Sequence, residues 1–246
     1  MKILTLDIET RPNLAHVWGL WQQNVGLSQI IESGSVFAFA AKWYGDKKVS
    51  FFSDFHDGHE AMVQAAYDLI NESDVVIHFN GKKFDMKWLR TEFKQAGLPR
   101  HKPVQEIDLL HVAKREFYLP SYKLQYIAND FLKLGSKTPH TGHELWIQTI
   151  AGDAKAWALM KRYNIQDVKL TEQVYEELKP WISNHPNPSL YNEDGEVECT
   201  CGSTHLQRRG FKYTDVSKYQ QYQCQDCGKW FRGKKAVRRI DERGAA

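Results

Sequence analysis

The sequence has no run approaching the ~18 consecutive apolar residues of a membrane-spanning helix. Its first residues, Met1-Lys2-Ile3-Leu4, enter a strand-like segment instead of a secretion leader. No membrane association is expected, and the expected location is the cytoplasm. Cysteine is missing from residues 1–198; all four, Cys199, Cys201, Cys224 and Cys227, follow that point. In a chain without a secretion signal, clustered cysteine pairs read as metal ligands sooner than as disulfides. Internal repeats and low-complexity segments are also missing, and 42% hydrophobic with 26% charged residues excludes disorder and collagen-like structure. The 246 residues suffice for one large domain and a small appendage.

The net charge of +3 is unevenly spread. Residues 1–198 carry 22 Lys+Arg against 26 Asp+Glu, or −4, while residues 199–246 carry 11 against 4, or +7. A basic tail on an acidic body points to a polyanionic partner, nucleic acid first, with a solvated tail as the alternative.

Residues 2–8 form a β-prone run whose apolar side chains serve both faces, a buried first strand. Ser35 to Tyr44 and Lys47 to Phe52 read as strands joined at the hairpin pair Gly45-Asp46. Met62, Val63, Ala66 and Ile70 have helical spacing, and Val75-Val76-Ile77 is a short strand. A helix is predicted from Phe84-Asp85 to Gly97, others over Asp108 to Glu116 and Tyr122 to Leu132 with Ser121 as N-cap, and a long one over 153–178 ended by Pro180. Ser183 to Glu196, rich in Pro, Gly and Asn, has linker composition. The expected organisation is a catalytic domain over 1–182, a linker over 183–197 and a basic cysteine domain over 198–246. Strands followed by alternating helices and strands argue for an α/β sheet covered by helices.

Three short patterns carry chemistry, each weak alone. In Asp7-Ile8-Glu9 the two carboxylates point to one side of a strand, although a polar strand end explains a lone pair as well. In Asn80-Gly81-Lys82-Lys83-Phe84-Asp85 a strand passes through a glycine turn into a helix that starts with an acid, a position that capping alone favours. In Tyr163-Asn164-Ile165-Gln166-Asp167 the Tyr and Asp share a helix face. His140 and His143 sit in a Thr/Gly/Pro-containing segment read as a surface loop. Trp18, Trp21 and Trp43 are expected mainly in core packing, with stacking on bases as the alternative.

Taken together over residues 1–182, the three patterns resemble the motifs of the DEDD superfamily of DnaQ-like 3′-5′ exonucleases, which have an RNase H-like fold. Tyr163 in the last motif resembles the DEDDy branch, which includes the exonuclease domain of family B DNA polymerases. The resemblance implies a mixed sheet flanked by helices and a phosphodiesterase using two Mg²⁺ or Mn²⁺ ions, which hard carboxylate donors suit. It implies that Asp7, Glu9, Asp85 and Asp167 hold the metals, that Tyr163 orients the attacking water, and that Asn80 lies at the substrate. Tyr, with an ordinary pKa near 10, is a poor base at neutral pH. Of the 246 residues, the 64 beyond position 182 are too few for a polymerase domain, so a stand-alone nuclease is expected, in the host cytoplasm if phage-encoded. Single-stranded DNA or a DNA 3′ end is the expected substrate, with replication or repair proteins as candidate partners. An exoribonuclease and a non-catalytic nucleic-acid-binding factor are the alternatives.

In the tail, two close cysteine pairs, each followed by glycine, suit one tetrahedral Zn²⁺ and resemble a zinc ribbon. The first pair is Cys-x-Cys where ribbons usually have Cys-x2-Cys, so Cys199 is the least secure ligand and His205 its substitute. A segment this short would owe most of its folding to zinc. Arg208, Arg209, Lys212, Lys229, Arg232, Lys234 and Lys235, interleaved with aromatics, are the candidate nucleic-acid contacts, and Trp230 and Phe231 the candidate core. A protein-docking role for the ribbon competes.

Overall fold

The computed structural model describes residues 1–135, 142–191 and 197–241. The chain divides into two compact units, Met1–Glu176 and Glu177–Ala246. His140 lies outside the described residues, while His143 opens a helix.

The first unit is built on five strands: β1 (Ile3–Thr10), β2 (Val36–Trp43), β3 (Ser50–Ser53), β4 (Val75–His78) and β5 (Gln105–Asp108), in the order β3-β2-β1-β4-β5. The first three form an antiparallel meander, and β4 and β5 run parallel to β1. Helices α1 (His59–Glu72), α2 (Asp85–Gln95), α3 (Leu109–Glu116), α4 (Leu124–Tyr126), α5 (His143–Ile150) and α6 (Ala154–Leu178) flank it, giving the expected mixed α/β architecture. No helix among the described residues is long and apolar enough to cross a membrane.

Alternation along β1 divides the core. Leu4, Leu6 and Ile8 pack with Met62, Val63, Ala66 and Ile70 of α1 and Met86, Leu89 and Phe93 of α2. A second cluster joins Phe37 and Ala38 to Leu145 of α5 and to Ala156, Trp157, Met160 and Tyr163 of α6. A bulge lets both Phe37 and Ala38 belong to it: Glu9 pairs with Ala38 but Thr10 pairs with Val36, leaving Phe37 as the extra residue. The pairing of β1 with β4 covers only Ile3 to Thr5. The C-terminal half of β1 therefore has an open edge, at the point where the chain leaves for β2 on one side and returns to β4 on the other. Such switch points are where α/β sheets bind ligands.

Some local expectations change. The stretch before α3 is a strand, and Asp108 ends it while capping α3, accepting from Leu110 N at 3.1 Å. Only Ile107 and Asp108 of this short strand are buried, so its apolar pattern is too thin to read. The helix predicted from Tyr122 is one turn, α4, followed by a π-helical turn over Ile127–Phe131; its N-cap is Lys123, and Ser121 Oγ accepts only a long 3.4 Å bond from Lys123 N. Trp43 packs against the first core cluster, as expected. Trp18 and Trp21 do not enter the core and lie exposed.

In the second unit, β6 (Leu206–Tyr213), β7 (Ser217–Cys224) and β8 (Trp230–Arg239) form an antiparallel sheet in the order β8-β7-β6. Phe231 pairs with Tyr222 across the strands with ring centroids 5.5 Å apart. Trp230, expected beside it, is half exposed because it lies on the other side of its strand.

Candidate active site

Asp7 and Glu9 project from the open-edged half of β1. From α6 come Tyr163, Asn164 and Asp167, neighbours on one helix face and all buried. Asn164 joins the two elements, its Nδ2 donating to Asp7 Oδ2 at 2.7 Å and to the Asp7 carbonyl at 3.2 Å. The Tyr163 hydroxyl donates to the Asp167 carboxylate. Burial, then the charges of Asp167, Glu9 and Asp7, push the Tyr163 phenol far above its ordinary range. Trp146 of α5 stands edge-on to the Tyr163 ring at 5.9 Å and fixes its plane.

Asp85 enters from the first turn of α2 and uses the open edge directly: its Oδ1 accepts the Ile8 amide at 3.1 Å. The turn that delivers it has little freedom. Asn80 adopts φ +68°, in the left-handed region that a short polar side chain tolerates. At Gly81, an added Cβ would lie 2.3 Å from Cγ of the buried His78 ring, so only glycine fits. Gly81 N donates to His78 Nδ1 at 3.1 Å, and Asn80 N and Lys82 N donate to the Asp108 carboxylate at 3.0 and 3.2 Å. Met86 N then closes on the Gly81 carbonyl at 2.9 Å, starting α2. Burial raises the Asp85 carboxyl from 3.8 to about 6; His78 and the Ile8 amide oppose the rise, and Asp108 adds to it.

The structure therefore gathers Asp7, Glu9, Asp85, Tyr163 and Asp167 around the end of β1. Asn80, expected at the substrate, lies in the turn before α2, where its backbone amide is anchored by Asp108. Asn164, His78 and Asp108 were missed from the sequence. Asn164 carried a signal, sitting inside the Tyr163 pattern; Asp108, 28 residues from Asn80, carried none.

Residues 25–179 match the family model of the RNase H superfamily. The chain belongs to the RNase H superfamily. The matched stretch includes Asp85, Tyr163 and Asp167 and begins after Asp7 and Glu9. Among solved structures, this RNase H-like chain is similar to a family B DNA polymerase from the hyperthermophilic archaeon Pyrobaculum calidifontis, with a TM-score of 0.53 and 18% identity. The match covers 73% of this chain and 24% of the polymerase, and at that identity the likeness is one of fold. No curated protein matches the chain.

Beyond residue 179 the chain carries its four cysteines. The Sγ atoms of Cys199, Cys201, Cys224 and Cys227 all lie within 4.8 Å of one another, and they are the only such group of metal-ligating side chains among the described residues. Sγ separations of 3.5 Å (Cys199 to Cys227) and 3.6 Å (Cys201 to Cys224) are close to the roughly 3.8 Å edge of a tetrahedron with ~2.3 Å Zn–S bonds. The donor set thus fits zinc. Cys199, the doubtful ligand by spacing, is buried among the other three, while exposed His205 faces Asp226 at 3.5 Å. The Cys-x-Cys turn closes by a bond from Gly202 N to Cys199 O, and the second turn by one from Gly228 N to Cys224 O.

Of the basic residues, Arg208, Arg209, Lys212, Arg232, Lys234 and Lys235 are exposed. Lys229 differs: its ammonium donates to the Ile182 carbonyl at 2.8 Å and to Thr200 Oγ1 at 2.9 Å, which ties it into the fold. Some aromatics are already covered by cations, with Lys218 3.9 Å from the Phe211 ring and Arg232 3.8 Å from that of Tyr219.

Proposed function

We propose that the protein is a metal-dependent 3′-5′ exonuclease of the DEDDy type acting on DNA, with a zinc-bound ribbon that assists nucleic-acid binding. The observation that carries this reading is the convergence of four carboxylates and one buried tyrosine hydroxyl at the open edge of β1.

The residues fit divalent ions on their own chemistry. All four donors are hard oxygens, and Asp85 is held at about 6 by burial, a cost that a bound cation would remove. Phosphodiester hydrolysis of this type uses two ions ~3.5–4 Å apart, and four carboxylates offer enough oxygens for both. Asp7, Glu9, Asp85 and Asp167 would hold these ions, which supply charge to activate a water and to steady the departing 3′ oxygen. Asn164 keeps the Asp7 carboxylate oriented. Tyr163 stays protonated throughout the neutral range, so its hydroxyl orients the water and does not serve as a base. On the ribbon, the exposed Arg208, Arg209, Lys212, Lys234 and Lys235 would neutralise phosphates.

The test uses 5′-labelled single-stranded DNA and RNA of one sequence, with Mg²⁺ or Mn²⁺. A metal-dependent ladder shortening from the 3′ end is expected on DNA. Asp7→Ala should abolish it and Tyr163→Phe should lower the rate by about 10²-fold or more, with thermal unfolding near that of the wild type. Full activity in Asp7→Ala would remove the assignment; shortening of RNA alone would change the substrate.

A further inference from the structure

From Pro12 to Ile31 the chain has no Lys, Arg, Asp or Glu, although 26% of its residues are charged. This uncharged stretch leaves the end of β1 and returns to β2 as a closed arm. Its base is tied down: Arg11 N donates to Ser35 O at 2.9 Å, Gly34 N to Asn13 Oδ1 at 2.7 Å, and Leu14–Ala15 pair antiparallel with Ile30–Glu32. Gln29 clips the two sides, donating from Nε2 to His16 O at 2.8 Å and accepting from Gly26 N at 2.8 Å.

Beyond that base the large side chains point into solvent. Trp18 is 99% exposed, Leu20 87%, Trp21 85% and Leu27 88%. A packed tryptophan buries on the order of 150–250 Å², so a fold that leaves two of them bare on a hydrogen-bonded support forgoes that stabilisation. Large apolar side chains left exposed together along one short segment mark a contact with another molecule.

We infer that the arm is a stacking platform for the bases of the single strand whose 3′ end enters the carboxylate site. The inference rests on the proposed function for the direction in which the strand enters. Three observations favour bases as the occupant. The arm continues β1, so Trp18, nine residues after Glu9, is tethered within at most about 30 Å of it. It carries no cation to hold a phosphate and no carboxylate to repel one, which leaves the aromatic faces as its contact surface. Indole stacking tolerates every base, as an enzyme that removes nucleotides in succession requires.

The experiment compares Trp18→Ala/Trp21→Ala with the wild type in buffer without added divalent ions. The ligands are a 5′-labelled strand of twenty thymidines and an abasic strand with the same number of phosphates. Both indoles are exposed, so the fold should survive, as circular dichroism can check. The double variant should bind the thymidine strand about tenfold or more weaker, at the scale of base–aromatic stacking. Its affinity for the abasic strand should be unchanged, and Trp18→Phe/Trp21→Phe should recover most of the loss. Equal losses on both strands, or no loss on the thymidine strand, would overturn the inference. So would wild-type self-association that the substitutions abolish while strand binding is unaltered.

The same proteins, assayed for cleavage with Mg²⁺ or Mn²⁺, separate the two readings. Tryptophan-dependent base preference without any cleavage would uphold the platform and remove the exonuclease. Cleavage with no such preference would do the reverse.

Discussion

Replacing Asp85 with asparagine should stabilise the protein in the absence of Mg²⁺ or Mn²⁺ while removing the proposed hydrolysis. Burial lifts this carboxyl from 3.8 to about 6. At ~1.4 kcal/mol per pKa unit, its ionised form costs about 3 kcal/mol at pH 8. Asparagine keeps an oxygen for the Ile8 amide and carries no charge, but its new NH₂ group needs an acceptor. A net gain of about 1–3 kcal/mol follows, or roughly 3–10 °C in Tm for a chain of this size. The folded-state pKa lies above the unfolded one, so the group's stabilising contribution is fully present below about pH 4 and is lost as pH rises through about 6. The variant's advantage should therefore be largest near pH 8 and vanish near pH 4. Thermal unfolding by circular dichroism from pH 4 to 8 measures this, and a Mn²⁺ titration at pH 8 should raise Tm for the wild type more than for the variant. A variant less stable than wild type at pH 8, or a gap constant with pH, would refute the argument that burial of this charge is the cost.

Gly81→Ala should destabilise by about 1–3 kcal/mol, the usual cost of overpacking, because its Cβ would meet His78 at 2.3 Å. The displaced turn carries Asp85, so the hydrolysis rate should fall by more than stability alone explains; denaturant unfolding beside kinetics separates the two. Elemental analysis should find one zinc per chain. Cys224→Ser should lose that zinc and the order of β6 to β8, read as collapsed amide protection in residues 197–241 with protection in β1 and α6 retained.

Much of the site was legible because its determinants are local. The i, i+2 spacing of Asp7 and Glu9 on a strand and the i, i+4 spacing of Tyr163 and Asp167 on a helix follow from backbone periods that any chain obeys. The clustering of all cysteines after residue 198 likewise reveals a separate ligand set before any coordinate is known. Helices α1, α2 and α6 are marked by amphipathic spacing and, for α2, by the glycine after its end.

What needed tertiary structure was whatever depends on a partner far along the chain. The bond from Asn164 to Asp7 spans 157 residues, and the anchoring of the Asn80 turn by Asp108 spans 28. The fifth strand exists because β4 offers it an edge, not because Gln105–Asp108 has a strong pattern of its own. Trp18 and Trp21 show the limit most directly: composition suggests core, yet the path of the chain beyond β1 decides that they face solvent. Local sequence thus determined which chemical groups the protein carries and the element that bears each. Only the three-dimensional fold decided which groups meet, because contact between distant residues depends on the topology of the sheet and on the edge that β4 leaves open along β1.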